Sequence, residues 1–495
     1  MSTTTPDAGA GVAAAATGRG APVPAQPAGR AVAMSATSQI GAKILHFVLN
    51  VVSTLAIVRY LAPSAYGVYA LVLTVTTLAA LTADFGLPKL AVREIHADPA
   101  SEDAVLGSIV VVRVVLAVAA IGVSELILFV LGQPPVAYVA AAVAGLVGVG
   151  EAVLAAVVVV FQVRMVQHYE AFVRTGTELL ETAAVVALVV VHAGLVWLFV
   201  PPTVGTALGA AIVIALARWR FGRRAVVSVP LARRLVTAAL PIAPAVVVGL
   251  AYRKLDVVSV AAFRSSRELG IYSAAVQPVE YAFLTTAMLM NVLFPLMSGA
   301  WSRGDRDGFE VFYRRGAESL ALVTVLLPLL LAFVARPLVV TVYGQAYADA
   351  AVPIVLLAVA VVPLTINVWQ SLALLVGGFQ AVTLRYNLLT LAVAAVLCGT
   401  LVPVIGAVGA GIAAIGTATF GFVASTWCLR RRMAVGLLAG PLARIGVVVA
   451  ATAAVLALTR VLSLPWTTVL VVGLVGYVLA VRSAGAHRSL AVTAR

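Results

Sequence analysis

"YLAPSAYGVYALV", Tyr60 to Val72, interrupts an apolar stretch with Pro63, Ser64 and Gly67. About two hundred residues later, "FRSSRELGIYSAA", Phe263 to Ala275, sets Gly270 and Tyr272 in the frame of Gly67 and Tyr69. Two further echoes follow in order at nearly the same offset. "FVLGQPPVAYVAAAVAGLV" (129–147) resembles "TVYGQAYADAAVPIVLLAV" (341–359), and "VGTALGAAI" (204–212) resembles "IGTATFGFV" (415–423). One echo is weak in apolar sequence. Three in order at one spacing indicate a duplicated unit.

The repeated material is membrane-spanning. Of 495 residues, 62% are hydrophobic and 11% are charged, where soluble domains carry roughly 25% charge. Mean hydropathy is +1.10. Runs such as "LALVTVLLPLLLAFVA" are continuous and lack the alternation of a β-barrel strand, and many reach the roughly 20 residues that span a bilayer as a helix. The expected fold is all-α integral membrane, with about 14 transmembrane helices running from 39–61 and 66–87 to 443–461 and 464–481. Each repeat holds an even number of spans, so both insert in one orientation as parallel repeats. Two pseudo-symmetric six-helix lobes around a central cavity, plus a C-terminal helix pair, follow from that count. The corresponding divisions are a disordered tail at 1–34, an N-lobe at 35–224, a C-lobe at 225–432, helices 13–14 at 433–482 and a tail at 483–495. Residues 1–34 lack a convincing signal peptide, and Met34 is an alternative start. Pro63, Gly67 and Gly270 are expected in tight external turns, with Tyr69 and Tyr272 as interfacial anchors.

Charge fixes the orientation. The net charge is +14, and the arginine-rich loops at 218–234 and 430–432 fall on one side of the expected spans. The positive-inside rule makes that side cytoplasmic and both termini with it. No run combines basic and aromatic residues as nucleic-acid binding requires, so no nucleic acid is expected. Cys398 and Cys428 lack metal spacing and read as small core residues. The five histidines are dispersed and no phosphate-binding loop occurs, so no cofactor, metal or ATP hydrolysis is expected. Short connections argue against a membrane-embedded transferase.

"RYLAPSAYGVYALVLTVTTLAALTADFGLPKLAVREI" resembles the helix 1–2 signature of bacterial polysaccharide flippases in the multidrug/oligosaccharidyl-lipid/polysaccharide exporter superfamily. "KLDVVSVAAFRSSRELGIYSAAVQPVE" is similar to their helix 7–8 region and "VTVYGQAYADAAVPIVLLA" to their helix 9–10 junction. The likeness spans roughly residues 35–432. It implies alternating access in a bacterial plasma membrane, carrying an undecaprenyl-diphosphate-linked oligosaccharide from the cytoplasmic to the external leaflet. It also implies partners: the lipid-linked substrate, bilayer lipids, and a polymerase or other glycan-assembly proteins. Coupling to an H+ or Na+ gradient, or to the membrane potential, belongs to the same expectation. The alternatives are a multidrug/cation antiporter and, from another class, a glycan-pathway transferase.

A diphosphate crossing an apolar core calls for cations, and ionisable groups at helix centres normally face a cavity or a partner. Lys43, Arg113, Arg253 and Lys254 are the candidates for the diphosphate or the cavity wall. Asp256, Glu280 and Glu151 are the candidates for coupling or ion pairing. Arg253 and Asp256 are i,i+3 neighbours that can pair, leaving Lys254 for phosphate. Glu178 with Glu181, and Gln277 with Glu280, share helix faces suited to sugar hydroxyls or a cation.

Overall fold

Apolar runs of this length have one way to satisfy their backbone in lipid, which is within the helix itself. The computed structural model describes residues 28–82, 87–164, 166–222, 225–239, 254–433, 435–436 and 439–485. Among them every regular element is a helix. The first half contains α1 (Ala28–Tyr60), α2 (Pro63–Thr82), the short amphipathic α3 (Leu87–Ala97), α4 (Glu102–Val130), α5 (Pro135–Val163), α6 (His168–Val190) and α7 (Val200–Phe221). A second short amphipathic helix, α8 (Val229–Ala239), follows. The second half contains α9 (254–263), α10 (Ser266–Ser302), α11 (Arg306–Tyr343), α12 (Ala351–Val376) and α13 (Gln380–Met433). The chain continues through α14 (Ala439–Val461) and α15 (Trp466–Ser483). Residues 1–27 and 486–495 of the expected tails, and 240–253 of the expected C-lobe, lie outside the described residues.

Ten described helices are long and apolar enough to cross a membrane. One of them, α13, breaks at Gly406, whose φ of +58° reverses the chain and gives two crossings without a loop. Apolar stretches in α1, α6 and α9 bring the arrangement to the expected count of about 14. The chain is a multi-pass membrane protein. A 3-10 turn, Leu195–Phe199, leads into α7, whose first turn holds Pro201 and Pro202.

The repeat is visible in three dimensions. Helix α4 packs on α5 as α11 packs on α12, and α2 packs on α5 as α10 packs on α12. Gly132 and Gly344, the echoed glycines of the second motif, follow the ends of α4 and α11 with φ of +61° and +100°.

Gly67 and Gly270 do something other than turn the chain. The turn precedes them at 61–62 and 264–265, and both lie inside helices. Helices α2 and α10 cross with these two glycines face to face. A Cβ on Gly67 would run into the Ser266 carbonyl oxygen, and one on Gly270 into that of Pro63. Their absent side chains allow two backbones to touch. The companion tyrosines are buried rather than interfacial. Tyr272 is 0% exposed, and Tyr69 stacks on Phe199 at 4.7 Å between ring centroids.

Around this crossing the hydrophobic core is continuous across both lobes, drawing on Val58 and Leu71 from one and Leu269, Ala358 and Val402 from the other. Arg59 Nη2 donates to Thr341 O at 2.8 Å, and Tyr347 Oη donates to Leu61 O at 2.9 Å, tying the lobes together. At the opposite end the core separates. Leu87, Ile109 and Phe161 belong to N-lobe clusters, whereas Trp369, Tyr313 and Met433 belong to a C-lobe cluster.

Two peripheral features complete the frame. Residues 225–239, expected with the C-lobe, pack on the N-lobe: Val226 N donates to Asp103 O at 3.0 Å, and Ser108 Oγ donates to Ser228 O at 3.0 Å. The C-terminal pair packs on α11, where Arg444 Nε lies 3.2 Å from the buried Glu318 carboxylate and Tyr477 Oη donates to Leu322 O. Cys398 and Cys428 are free and buried, as expected.

Candidate functional site

Two polar stripes turn a helix face into a cavity wall. In α1, His46, Asn50 and Ser53 recur at helical spacing; in α6, Arg174, Glu178 and Glu181 do the same. The stripes face each other, with His46 Nδ1 paired to Glu178 and Ser53 Oγ donating to Thr182 Oγ1 at 3.2 Å. They line a cavity of about 470 Å³ between the lobes, whose other walls include Tyr66, Tyr69, Glu151, Lys254, Gln277 and Glu280. Tyr66 and Tyr69 stand where the shared core begins, so the crossing of α2 and α10 closes the cavity at that end. The other end leads toward the part of the molecule where the cores have separated.

The charges in this cavity are organised as pairs. Arg174 donates to both oxygens of Glu151, at 3.3 and 3.0 Å, and lies 3.9 Å from Glu170. Lys254 Nζ donates to Glu280 Oε1 at 2.5 Å, with the two side chains 22% and 32% exposed. The Glu181 carboxylate lies against Gly205 of α7. Tyr281 Oη donates to Asn50 Oδ1 at 2.7 Å and is 3.0 Å from Thr54 Oγ1, linking α10 to α1 across the lobes. Ser273 is 4% exposed and lines the cavity, with no partner for its hydroxyl among the described residues.

A second cavity of about 360 Å³ lies within the C-lobe. Its walls are mostly apolar, among them Phe283, Leu357 and Ala394, with Asp256, Glu280, Asn367, Ser371, Asn387, Thr390 and Thr417 as the polar exceptions. Asp256 accepts hydrogen bonds from Tyr272 Oη at 2.6 Å and from Val257 N at 2.8 Å. Asn367 is 5% exposed and its Oδ1 has no partner among the described residues. Glu280 lines both cavities and stands between them. Among the described residues, no group of three or more His, Cys, Asp or Glu side chains is arranged to hold a metal ion.

Of the residues singled out in the sequence, the structure brings Glu151, Lys254 and Glu280 into the central cavity and Asp256 into the second. Lys254 is paired in this state, because Glu280 on the adjacent helix reaches it. Arg113 is buried in α4 and lines neither cavity, since α4 flanks the N-lobe against α2, α5 and α8. Lys43 lies in α1 with its side chain outside the described set, and Arg253 lies outside the described residues with its expected pairing to Asp256. His46 and Arg174 were not singled out. The signal that marks them is the helical spacing of polar residues inside otherwise apolar spans.

A family model described as "Polysaccharide biosynthesis protein" matches residues 56–352. No curated protein sequence matches the chain. The architecture is similar to a solved structure described as "Lipid II flippase MurJ, inward closed conformation", with a TM-score of 0.75 and 11% identity over 92% of this chain and 99% of that one. It is also similar to an inward-facing multidrug resistance MATE family transporter of the MOP superfamily, with a TM-score of 0.61 and 13% identity over 81% of this chain and 100% of that one. An outward-facing MATE transporter matches at a TM-score of 0.53 and 12% identity, over 82% and 95% of the two chains. These likenesses establish the fold: two lobes of membrane helices around a central cavity.

Proposed function

The chain belongs to the polysaccharide biosynthesis protein family, and from that premise we propose that it is a flippase for a lipid-linked oligosaccharide. The substrate in this reading is an undecaprenyl-diphosphate-linked glycan, moved from the cytoplasmic to the external leaflet of a bacterial plasma membrane by alternating access. The observation that carries the reading is the polar cavity between the lobes, closed at one end by the α2–α10 crossing. The charges in this cavity are ion pairs that join helices and can exchange partners.

A glycan headgroup needs hydroxyl-binding groups and a counter-charge for its diphosphate. Asn50, Ser53, Thr54 and Gln277 supply the first. Arg174 and Lys254 supply the second once a phosphate oxygen replaces Glu151 or Glu280 as their partner. The arginine-rich end toward which the cavity leads is cytoplasmic in this reading, as are both termini. Asp256 serves coupling. It is a half-buried acid held by a hydroxyl and a backbone amide, in a cavity that Asn367 also lines, and it takes up a proton or Na+ from the gradient that drives the cycle.

Reconstitution tests the proposal. Proteoliposomes holding the purified chain should move a fluorescent undecaprenyl-diphosphate oligosaccharide between leaflets faster than empty vesicles. Equal rates in the two would overturn the reading. A second reading rests on the C-lobe cavity, whose mostly apolar walls and two carboxylates, Asp256 and Glu280, suit a lipophilic cation. Efflux of ethidium, in place of movement of the carrier-linked glycan, would favour a multidrug/cation antiporter.

A further inference from the structure

The segment from Arg218 to Ala239 joins the lobes and holds six arginines and no acidic residue. Two of its features mark it as more than a solvated loop. First, apolar side chains stand exposed among the arginines. Trp219 is 84% exposed between exposed Arg218 and Arg220, and Val226, Val227 and Val229 are 54%, 53% and 73% exposed. Second, residues 225–239 are fixed in place. Gly107 leaves room for the Val226 backbone, Ser108 Oγ accepts from Ser228 N at 3.1 Å, and α8 turns Leu231 and Leu235 inward against the N-lobe.

That packing fixes what α8 turns outward: Val229, Arg233 and Val236, one face at helical spacing. Glu94 of α3 takes Arg234, and Arg233 stays exposed. Trp219 sits one residue pair from the end of α7, a helix of 22 residues, which is about 33 Å long and matches the roughly 30 Å hydrocarbon thickness. The ring is therefore at the depth where indoles settle, with the guanidinium groups just beyond it at headgroup level.

We propose that this strap is a binding site for anionic phospholipid headgroups of the leaflet it faces. Arg218, Arg220 and Arg233 supply the counter-charge and Trp219 with the valines supplies the acyl contact. A zwitterionic lipid satisfies the apolar part alone, and an anionic one satisfies both. Because the strap is sewn to α4, a lipid held there moves with the N-lobe. The inference does not depend on what the cavity carries.

Trp219 reports the contact directly. In proteoliposomes of the full chain, the fluorescence difference between wild type and Trp219→Phe isolates this indole. Brominated phosphatidylglycerol should quench it about two-fold more than brominated phosphatidylcholine at the same mole fraction. Raising the salt to about 1 M should remove the excess, because the Debye length falls to about 3 Å. R220Q/R233Q should lose the excess, and R220K/R233K should keep it. Equal quenching by the two lipids in wild type, or an excess that survives both 1 M salt and R220Q/R233Q, would overturn the site.

Discussion

Lys254 and Glu280 form a pair between α9 and α10 that is about a quarter exposed to the cavity. Glu280→Gln leaves an ammonium facing a neutral amide, and part of its charge is screened by cavity water. The expected cost is about 1–2 kcal/mol, below that for breaking a fully buried pair, read as a lowered melting temperature in detergent. K254M/E280L should recover that stability and still fail to move the glycan; transport by that variant would make the pair purely structural. Tyr272→Phe removes the hydroxyl that Asp256 Oδ2 accepts from. A half-buried carboxylate short of one donor should destabilise the fold by about 1–2 kcal/mol, measured the same way. Sequence spacing identified Asp256, Lys254 and Glu280 as charges that need a setting. It offered only same-helix neighbours as partners, and the observed partners arrive from other helices. Tyr272 in particular reaches Asp256 from α10, a contact that periodicity along one span has no means to register.

At the scale of elements, the crossing of α2 and α10 rests on two missing side chains. Gly67→Ala places a methyl against the Ser266 carbonyl in the state described and has no such obstacle once the helices part. The cost in the closed state is about 1–3 kcal/mol, which shifts the population toward the state open at that end. In a C398A/C428A background with Ser53→Cys on the cavity wall, a membrane-impermeant maleimide applied outside should label Ser53→Cys several-fold faster when Gly67→Ala is added. Unchanged or slower labelling would mean that the crossing does not control access. The repeat was legible because glycine and tyrosine recur in frame. Its meaning was not, since glycine serves a turn and a close helix approach equally well in a one-dimensional reading. The two short amphipathic helices, α3 and α8, were likewise absorbed into loops: 11 residues each are too few for a span.

For the whole molecule, the decisive feature is where the hydrophobic core is shared and where it divides. One core embraces both lobes at the α2–α10 end, and separate cores serve each lobe at the other. Burying apolar side chains jointly at one end makes that end the seal and the other the mouth. The C-terminal pair is tied to α11 through Arg444 and Tyr477 and belongs mechanically to the C-lobe. Spin labels on α14 and α11 should keep one distance distribution throughout the transport cycle, while labels on α5 and α12 change theirs. A shift between α14 and α11 larger than that between α5 and α12 would contradict this. Lobe number, span count and the added pair were all readable from hydropathy and repeats. Which end is closed was not, because closure is a property of contacts between helices far apart in the chain.

The break at Gly406 has a mechanical corollary. Glu268, at the head of α10, accepts from Ala407 N at 2.8 Å through one oxygen and from Arg264 Nε at 2.7 Å through the other, and Arg264 donates to Pro403 O at 3.3 Å. The elbow of α13 is thus pinned to the base of α10 like a hinge knuckle fastened shut. Three crossings share one rivet, so none of them can swing alone at that end. Whatever force parts Gly270 from Gly67 must lift the riveted frame as a single lever arm.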